Sequence, residues 1–304
     1  MRQFLFICLL GLLAFSCDDG DVFEITLDFE DEFETCGSLV FFKTKEIPAE
    51  SLSIQITNRT IENILEVDED NMYQETFEFS AATNSFNYRT YTTEPINVFC
   101  NDIPPADLDI LTDAESTTGS ATVTTILVED DNDGIPAELE DINGNGDLED
   151  DDTDMDGIPN YLDVDDDGDN VLTSAENPNY TEEDGLSNAQ NTDADSGDTI
   201  PDYLDNDDDG DGILTRDEES INQDNNPLND VTDPNVGADF LNPMVVEMVP
   251  AVGYRDHEIQ QVYTITISVI NIQIPNLTQD ELDFGFLNDT SITNTSRPGD
   301  PIFM

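Results

Sequence analysis

Residues 163–176 read D-V-D-D-D-G-D-N-V-L-T-S-A-E, and the pattern returns at 205–218 as D-N-D-D-D-G-D-G-I-L-T-R-D-E. Related pieces precede both: D-T-D-M-D-G-I-P-N-Y-L-D at 152–163 and D-A-D-S-G-D-T-I-P-D-Y-L-D at 193–205. E-D-D-N-D-G-I-P-A-E-L-E at 129–140 is a further partial copy. Carboxylates about 4 Å apart repel by roughly 1 kcal/mol in water and several times more near a protein surface. Such a segment becomes compact only if positive charge is held between its side chains. Basic residues do not supply it, because residues 129–220 carry 35 of the 71 carboxylates and a single basic side chain, Arg216. A solvated acidic spacer is the plainer alternative. It would not keep Gly, Ile-Pro, Tyr-Leu and a closing carboxylate in register.

The spacing names the charge. In a calcium loop, oxygens at positions 1, 3, 5, 7, 9 and 12 converge on one ion, with glycine at position 6 for the sharp turn. Asp207, Asp209, Asp211, Ile213 (through its carbonyl), Thr215 and Glu218 fill that template around Gly212. Asp165, Asp167, Asp169, Val171, Thr173 and Glu176 fill it again, with Asn170 at the glycine position, where Asn tolerates positive φ. Glu129, Asp131, Asp133, Ile135 and Glu140 fit a third time, and Asp152, Asp154, Asp156, Ile158 and Asp163 a fourth. The copy at Asp193, Asp195, Asp198 and Asp205 carries one residue too many for the template. Oxygen-only donors favour calcium over transition metals, and folding of the segment is expected to be coupled to loading by several Ca²⁺ ions. Asp166 and Asp208 fall between ligand positions, so they are expected to matter far less than Asp167 and Asp209.

These are not EF-hands, since Asp163 closes one loop and Asp165 opens the next, leaving no room for a helix. Pro136 and Pro159 also stand at position 8, where a paired hand needs a backbone donor. Concatenated D-x-D-x-D-G-I-P loops with short spacers resemble thrombospondin type 3 repeats. The resemblance covers about residues 129–220 and implies a chain wrapped around a row of calcium ions with little hydrophobic core.

The whole chain has 304 residues, with Lys+Arg 8, Asp+Glu 71 and a net charge of −63. That excludes nucleic acid as a partner, because nothing could neutralise phosphates. It equally excludes electrostatic binding to an anionic membrane. The N-terminus, M-R-Q-F-L-F-I-C-L-L-G-L-L-A-F-S-C, places one cation before an apolar run too short to span a bilayer. It resembles a bacterial lipoprotein signal over residues 1–16, with Cys17 as the lipidated residue, although Ala14 stands where Leu is usual. A plain secretory signal is the alternative. D-D-G-D after Cys17 resembles the acidic stretch that sends Bacteroidota-type lipoproteins to the outer face of the outer membrane. Membrane contact is then expected only through the lipid. With Cys8 removed and Cys17 lipidated, Cys36 and Cys100 are left to pair as a disulfide.

Residues 17–128 alternate apolar and polar in F-E-I-T-L-D-F-E, S-L-V-F-F-K-T, S-L-S-I-Q-I-T, Y-Q-E-T-F-E-F-S, F-N-Y-R-T-Y-T and S-A-T-V-T-T-I-L-V-E. Period two with β-branched and aromatic residues predicts half-buried strands, hence a mainly β chain with an antiparallel β-sandwich-like domain. T-I-E-N-I-L-E-V-D offers one short helix. The acidic repeats, 129–220, are then an insertion, followed by an Asn/Asp/Pro-rich linker at 221–239. A C-terminal β region at 240–304 has about three strands, too few to stand alone, and is expected to pair with 22–128. The function expected is a calcium-binding, lipid-anchored surface protein with a structural, adhesion or interaction role toward a cell-surface protein or glycan. A glycan- or peptide-binding lipoprotein is the alternative, and a carboxylate-based hydrolase a more distant one. No enzyme is expected: the chain has one histidine, His257, in the hydrophilic setting R-D-H-E-I-Q-Q of an exposed strand edge, and no nucleophile motif accompanies it.

Overall fold

Residues 27–303, apart from 38, 102, 104, 107, 195–198, 220–222 and 276, are described by a computed structural model. Residues 1–16, read as a signal, and Cys17 lie outside these residues. Among the described residues no helix is long and apolar enough to cross a membrane. The chain is mainly β and divides into two compact units, residues 27–125 with 265–289 and residues 126–264 with 290–303.

Ten strands form in chain order. They are β1 (Glu32–Cys36), β2 (Val40–Lys45), β3 (Glu50–Gln55), β4 (Met72–Glu78), β5 (Ser85–Tyr91), β6 (Ile110–Ser116), β7 (Ser120–Asp130), β8 (His257–Ile274), β9 (Leu277–Leu287) and β10 (Asn294–Gly299). They run in the order β4-β7-β8-β9-β1-β2-β3-β5-β6, with β10 added to β8. The pairing is mixed, because β1 runs parallel to β9 at Glu32 and Phe33, then antiparallel to β2 from Glu34 to Cys36. One five-residue strand thus passes from one ladder to another.

The first unit owes its stability to apolar burial. Phe33, Phe41, Ile54, Phe86, Val123, Ile267 and Phe284 are each at most 1 % exposed. Each such side chain contributes about 1.5–3 kcal/mol relative to leaving it in water. Phe33 meets Phe41 edge-on at 5.3 Å and Phe284 at 5.6 Å between ring centres. Buried Lys43 lies over the Phe284 ring at 5.3 Å, and its ammonium donates to the Glu30 carbonyl. The helix is α1 (Ile61–Leu65), opened by a capping box between Thr60 and Asn63; a four-residue turn, α2 (Thr290–Thr293), precedes β10.

The first strand lies later than its apolar pattern suggests. Residues 27–30 of F-E-I-T-L-D-F-E are not strand, residues 23–26 lie outside the described ones, and pairing starts at Glu32. Cys36 and Cys100 are joined, with Cα atoms 5.4 Å apart. Thiol titration of unfolded, unreduced protein is expected to find neither group free; two reactive thiols would contradict the bond.

The acidic repeats do not form a unit alone. They share the second unit with residues 249–264 and 290–303, including the start of β8 and all of β10.

Candidate metal centres

The repeats contain almost no regular structure beyond single 3₁₀ turns, so side chains must hold the backbone. They do so by one rule. Asp156 N–H donates to Asp154 Oδ1 at 3.0 Å, Ile158 N–H to Asp156 Oδ1 at 2.7 Å and Gly157 N–H to Asp152 Oδ2 at 3.1 Å. Asp211, Ile213 and Gly212 repeat these bonds to Asp209 (3.1 Å), Asp211 (2.8 Å) and Asp207 (3.0 Å). Asp133 and Ile135 do so to Asp131 (2.9 Å) and Asp133 (2.7 Å), and Val171 to Asp169 (2.6 Å). Each carboxylate spends one oxygen on the chain. The other is buried without a hydrogen bond: Oδ2 of Asp131, Asp133, Asp154, Asp156, Asp169, Asp209 and Asp211, and Oδ1 of Asp152 and Asp207. A carboxylate ion left buried and unbonded costs several kcal/mol, so these oxygens are candidate ligands for a cation.

The unbonded oxygens converge. Asp131, Asp133 and Glu140 bring donor atoms within 4.8 Å of one another, as do Asp152, Asp154 and Asp156, and Asp207, Asp209 and Asp211. A four-carboxylate group, Asp167, Asp169, Glu176 and Asp208, has no member more than 3 % exposed. Burial first, then the neighbouring charges, holds these acids far above the carboxylate range. Asp131 is pushed up to about 10, Glu140 to about 8, Asp208 to about 11 and Glu218 to about 9. Asp166, Asp167, Asp169 and Glu176 move in the same direction. Such acids must be protonated or metal-bound at neutral pH, and the all-oxygen donor sets fit a hard divalent ion such as calcium.

Several expected ligands play other parts. Glu129 is drawn into a two-pronged ion pair with Arg297 (2.6 and 2.9 Å) and accepts from Gln261, standing outside the first cluster. The hydroxyls of Thr173 and Thr215 accept the backbone N–H of Asp166 (3.1 Å) and Asp208 (3.3 Å), pinning position 2 of each loop. Ile135, Ile158 and Val171 bury their side chains. Ile158 packs with Leu162 and Ile259, and Val171 with Ala238 and Phe240, so small apolar clusters do back the loops. Asp195 and Asp198 lie outside the described residues.

The 193–205 copy has a different frame from the one its sequence suggested. Thr192 binds Asp202 through N–H (2.6 Å) and hydroxyl (2.8 Å), as Thr153 binds Asn160. Asp193 abuts Gly210, as Asp154 abuts Gly168, and both glycines have positive φ and no room for a Cβ. Asn191 is therefore the counterpart of Asp152, and Asp193 holds the third position rather than the first. Asp205 closes this copy as Asp163 closes the other, each accepting the N–H two residues on.

Four features escaped sequence reasoning. Asp166 and Asp208, expected to matter far less than Asp167 and Asp209, are each 1 % exposed with both oxygens unbonded. Asp208 joins the cluster of the loop before its own, and the carboxylates raising Asp166 are led by Glu140, Asp133 and Asp131 of the first loop. D-I-N-G-N-G-D at 141–147 repeats the same bonds with Asn at positions 3 and 5: Gly146 to Asp141 (2.8 Å), Asn145 to Asn143 (3.1 Å) and Asp147 to Asn145 (2.6 Å). Its D-x-N-x-N-G spacing was the available signal. Residues 230–242, read as linker and strand lead-in, hold the Thr232–Asp239 pair (2.6 and 2.9 Å) in a degenerate copy of the same turn. Finally, His257 is not an exposed edge residue but 2 % exposed, its Nδ1 2.9 Å from Asp163 Oδ1.

Residues 249–261 cross the loops as a strap. Val249 and Ala251 N–H groups bind Asp217 (2.7 and 2.8 Å), Arg255 N–H binds Asn170 Oδ1 (3.0 Å), and Gln261 binds Glu129 (2.8 Å). Asn170 has φ +74°, and its amide also donates to the Gly253 carbonyl at 3.2 Å. Asn thus supplies both the turn and a tie that glycine could not. Asn170→Gly is expected to keep the loop but cost about 1–2 kcal/mol for two lost bonds, with faster amide exchange at Arg255; unchanged exchange there would refute the tie.

Residues 130–196 match a family model described as BamM C-terminal, which covers the first loops and stops short of the 207–218 repeat. No curated protein and no solved structure matches the chain.

Proposed function

We propose that the chain is a calcium-binding, lipid-anchored protein of the outer membrane, with a structural or interaction role. The second unit is a row of thrombospondin type 3-like loops wrapped on several Ca²⁺ ions. The observation that carries this reading is the divided use of loop carboxylates such as Asp133, Asp156 and Asp211, one oxygen tied to the loop backbone and the other buried and unbonded within a cluster of carboxylates. The match of residues 130–196 to the BamM C-terminal model supports an outer-membrane lipoprotein setting, in agreement with the apolar N-terminus ending at Cys17. Held rigid by its ions, the unit would present the β unit or a loop face to a cell-surface protein or glycan.

Calcium titration of the intact chain by calorimetry tests the reading. Extracellular modules of this kind bind at about 10⁻⁴–10⁻³ M, and magnesium, which demands strict octahedral geometry, is expected to be weaker. Several equivalents with cooperative heat are expected, because the sites share one field. Absence of heat up to a few millimolar would sink it.

A further inference from the structure

We propose that His257, Asp156 and Asp163 form a mixed nitrogen–oxygen site for a transition-type divalent cation, best matched by Zn²⁺, within the row of oxygen-only loops. His257 opens β8, and its side chain is 1 % exposed. Its strand partner in β10 is Gly299, where a Cβ would press on His257 and Ile158 at 3.1 Å; the missing side chain lets β10 close over the imidazole. Tyr254 stands 6.4 Å away as another wall.

Neither ring nitrogen has a well-aligned hydrogen-bond partner. Nδ1 comes within 2.9 Å of Asp163 Oδ1 but lacks hydrogen-bond alignment. A charged imidazolium acting as a countercharge would instead aim an N–H at the oxygen. The carboxylates complete the set. Asp156 Oδ1 and Asp163 Oδ1 already accept the N–H groups of Ile158 (2.7 Å) and Asp165 (3.0 Å), leaving each Oδ2 buried and unbonded. The donors of all three residues lie within 4.8 Å of one another. Each carboxylate can offer one oxygen, which suits a four-coordinate ion better than calcium with its six to eight oxygens. Imidazole is a ligand for zinc-class ions rather than for calcium. Asp156 and Asp163 are also the fifth and closing positions of the 152–163 loop, so this ion would compete with that loop's calcium for their oxygens.

The inference rests on the reading of this row as cation sites, but its test is separate. His257 is the only histidine, so a ¹⁵N-histidine-labelled full chain reports on one imidazole. Zinc is titrated into it in millimolar calcium. One equivalent is expected to shift a ring nitrogen strongly and to bind at least 100-fold more tightly than calcium binds anywhere in the chain. His257→Gln should lose that equivalent. Imidazole resonances indifferent to zinc in the wild type, or a tight equivalent surviving in the variant, would overturn the proposal. Scattering on the same wild-type samples reads the calcium response independently. Failure of calcium to contract the chain would sink the calcium reading, while the zinc result still decides this one.

Discussion

Chelating calcium at pH 8 is expected to expand residues 126–264 and strip protection from their amides, while residues 27–125 and 265–289 stay folded. The two units are held by different forces. Phe33, Phe41, Phe86 and Phe284 keep their burial without ions, whereas Asp167, Asp169, Glu176 and Asp208 would be four buried, mutually repelling charges. Protons can stand in for the ions, and the direction follows from the acids' positions. Burial raises Asp154 to about 6, Asp165 to about 7, Glu140 to about 8 and Asp131 to about 10 in the compact form. Unfolded carboxyls titrate near 4. The calcium-free compact state therefore has its full share of this stability below about pH 4 and loses it as pH rises through 6 to 10. Chelated protein is expected to be compact at pH 4.5, expanded at pH 8, and restored at pH 8 by calcium. Small-angle scattering with hydrogen exchange across that grid decides it. Equal dimensions in all three conditions would mean that the loops fold without ions.

Asp208→Asn is expected to weaken calcium at the 165–176 loop by about 10–100-fold, a typical loss when a metal site's support is removed. Its own loop, 207–218, should change little. Asp166→Asn should act in the same way on the 129–140 loop. Both follow from where the carboxylates lie: Asp208 with Asp167, Asp169 and Glu176, and Asp166 against Glu140 and Asp133. Asn preserves shape but removes the charge. Site-resolved exchange during calcium titration distinguishes this from effects inside each variant's own loop. An Asp208→Asn change confined to 207–218, or no change at all, would refute the cross-loop contact.

Much of this was legible because its causes are local. Alternation in S-L-S-I-Q-I-T and Q-Q-V-Y-T-I-T-I-S-V marks β3 and β8, since period two is a property of one strand. The loops showed in their D-x-D-x-D-G spacing for the same reason. β6, with I-L-T-D-A-E-S exposed along most of its length, lies at the end of the sheet order and needs no alternation. β10, N-T-S-R-P-G, pairs with β8 alone among the named strands and tolerates Pro298. Contacts between distant segments left no trace in spacing. Nothing near Asp208 says that it faces the previous loop, and nothing near His257 says that Asp163 lies beside it. The degenerate turn at 230–242 kept its Thr–Asp bonds but lost the carboxylate density that made the other copies visible.

The strap has a consequence for how the chain finds its structure. Its ties close contacts over 34 residues at Asp217, 85 at Asn170 and 132 at Glu129, each enclosing the one before. Closing 132 residues from a free coil is entropically demanding, but once the Asn170 tie has closed its 85, the outer tie leaves 47 further residues to close. Refolding on calcium addition is then expected to run backwards along the sequence, as a zipper that starts at the last complete loop. In pulse-labelled hydrogen exchange, protection should appear at Ala251 before Arg255.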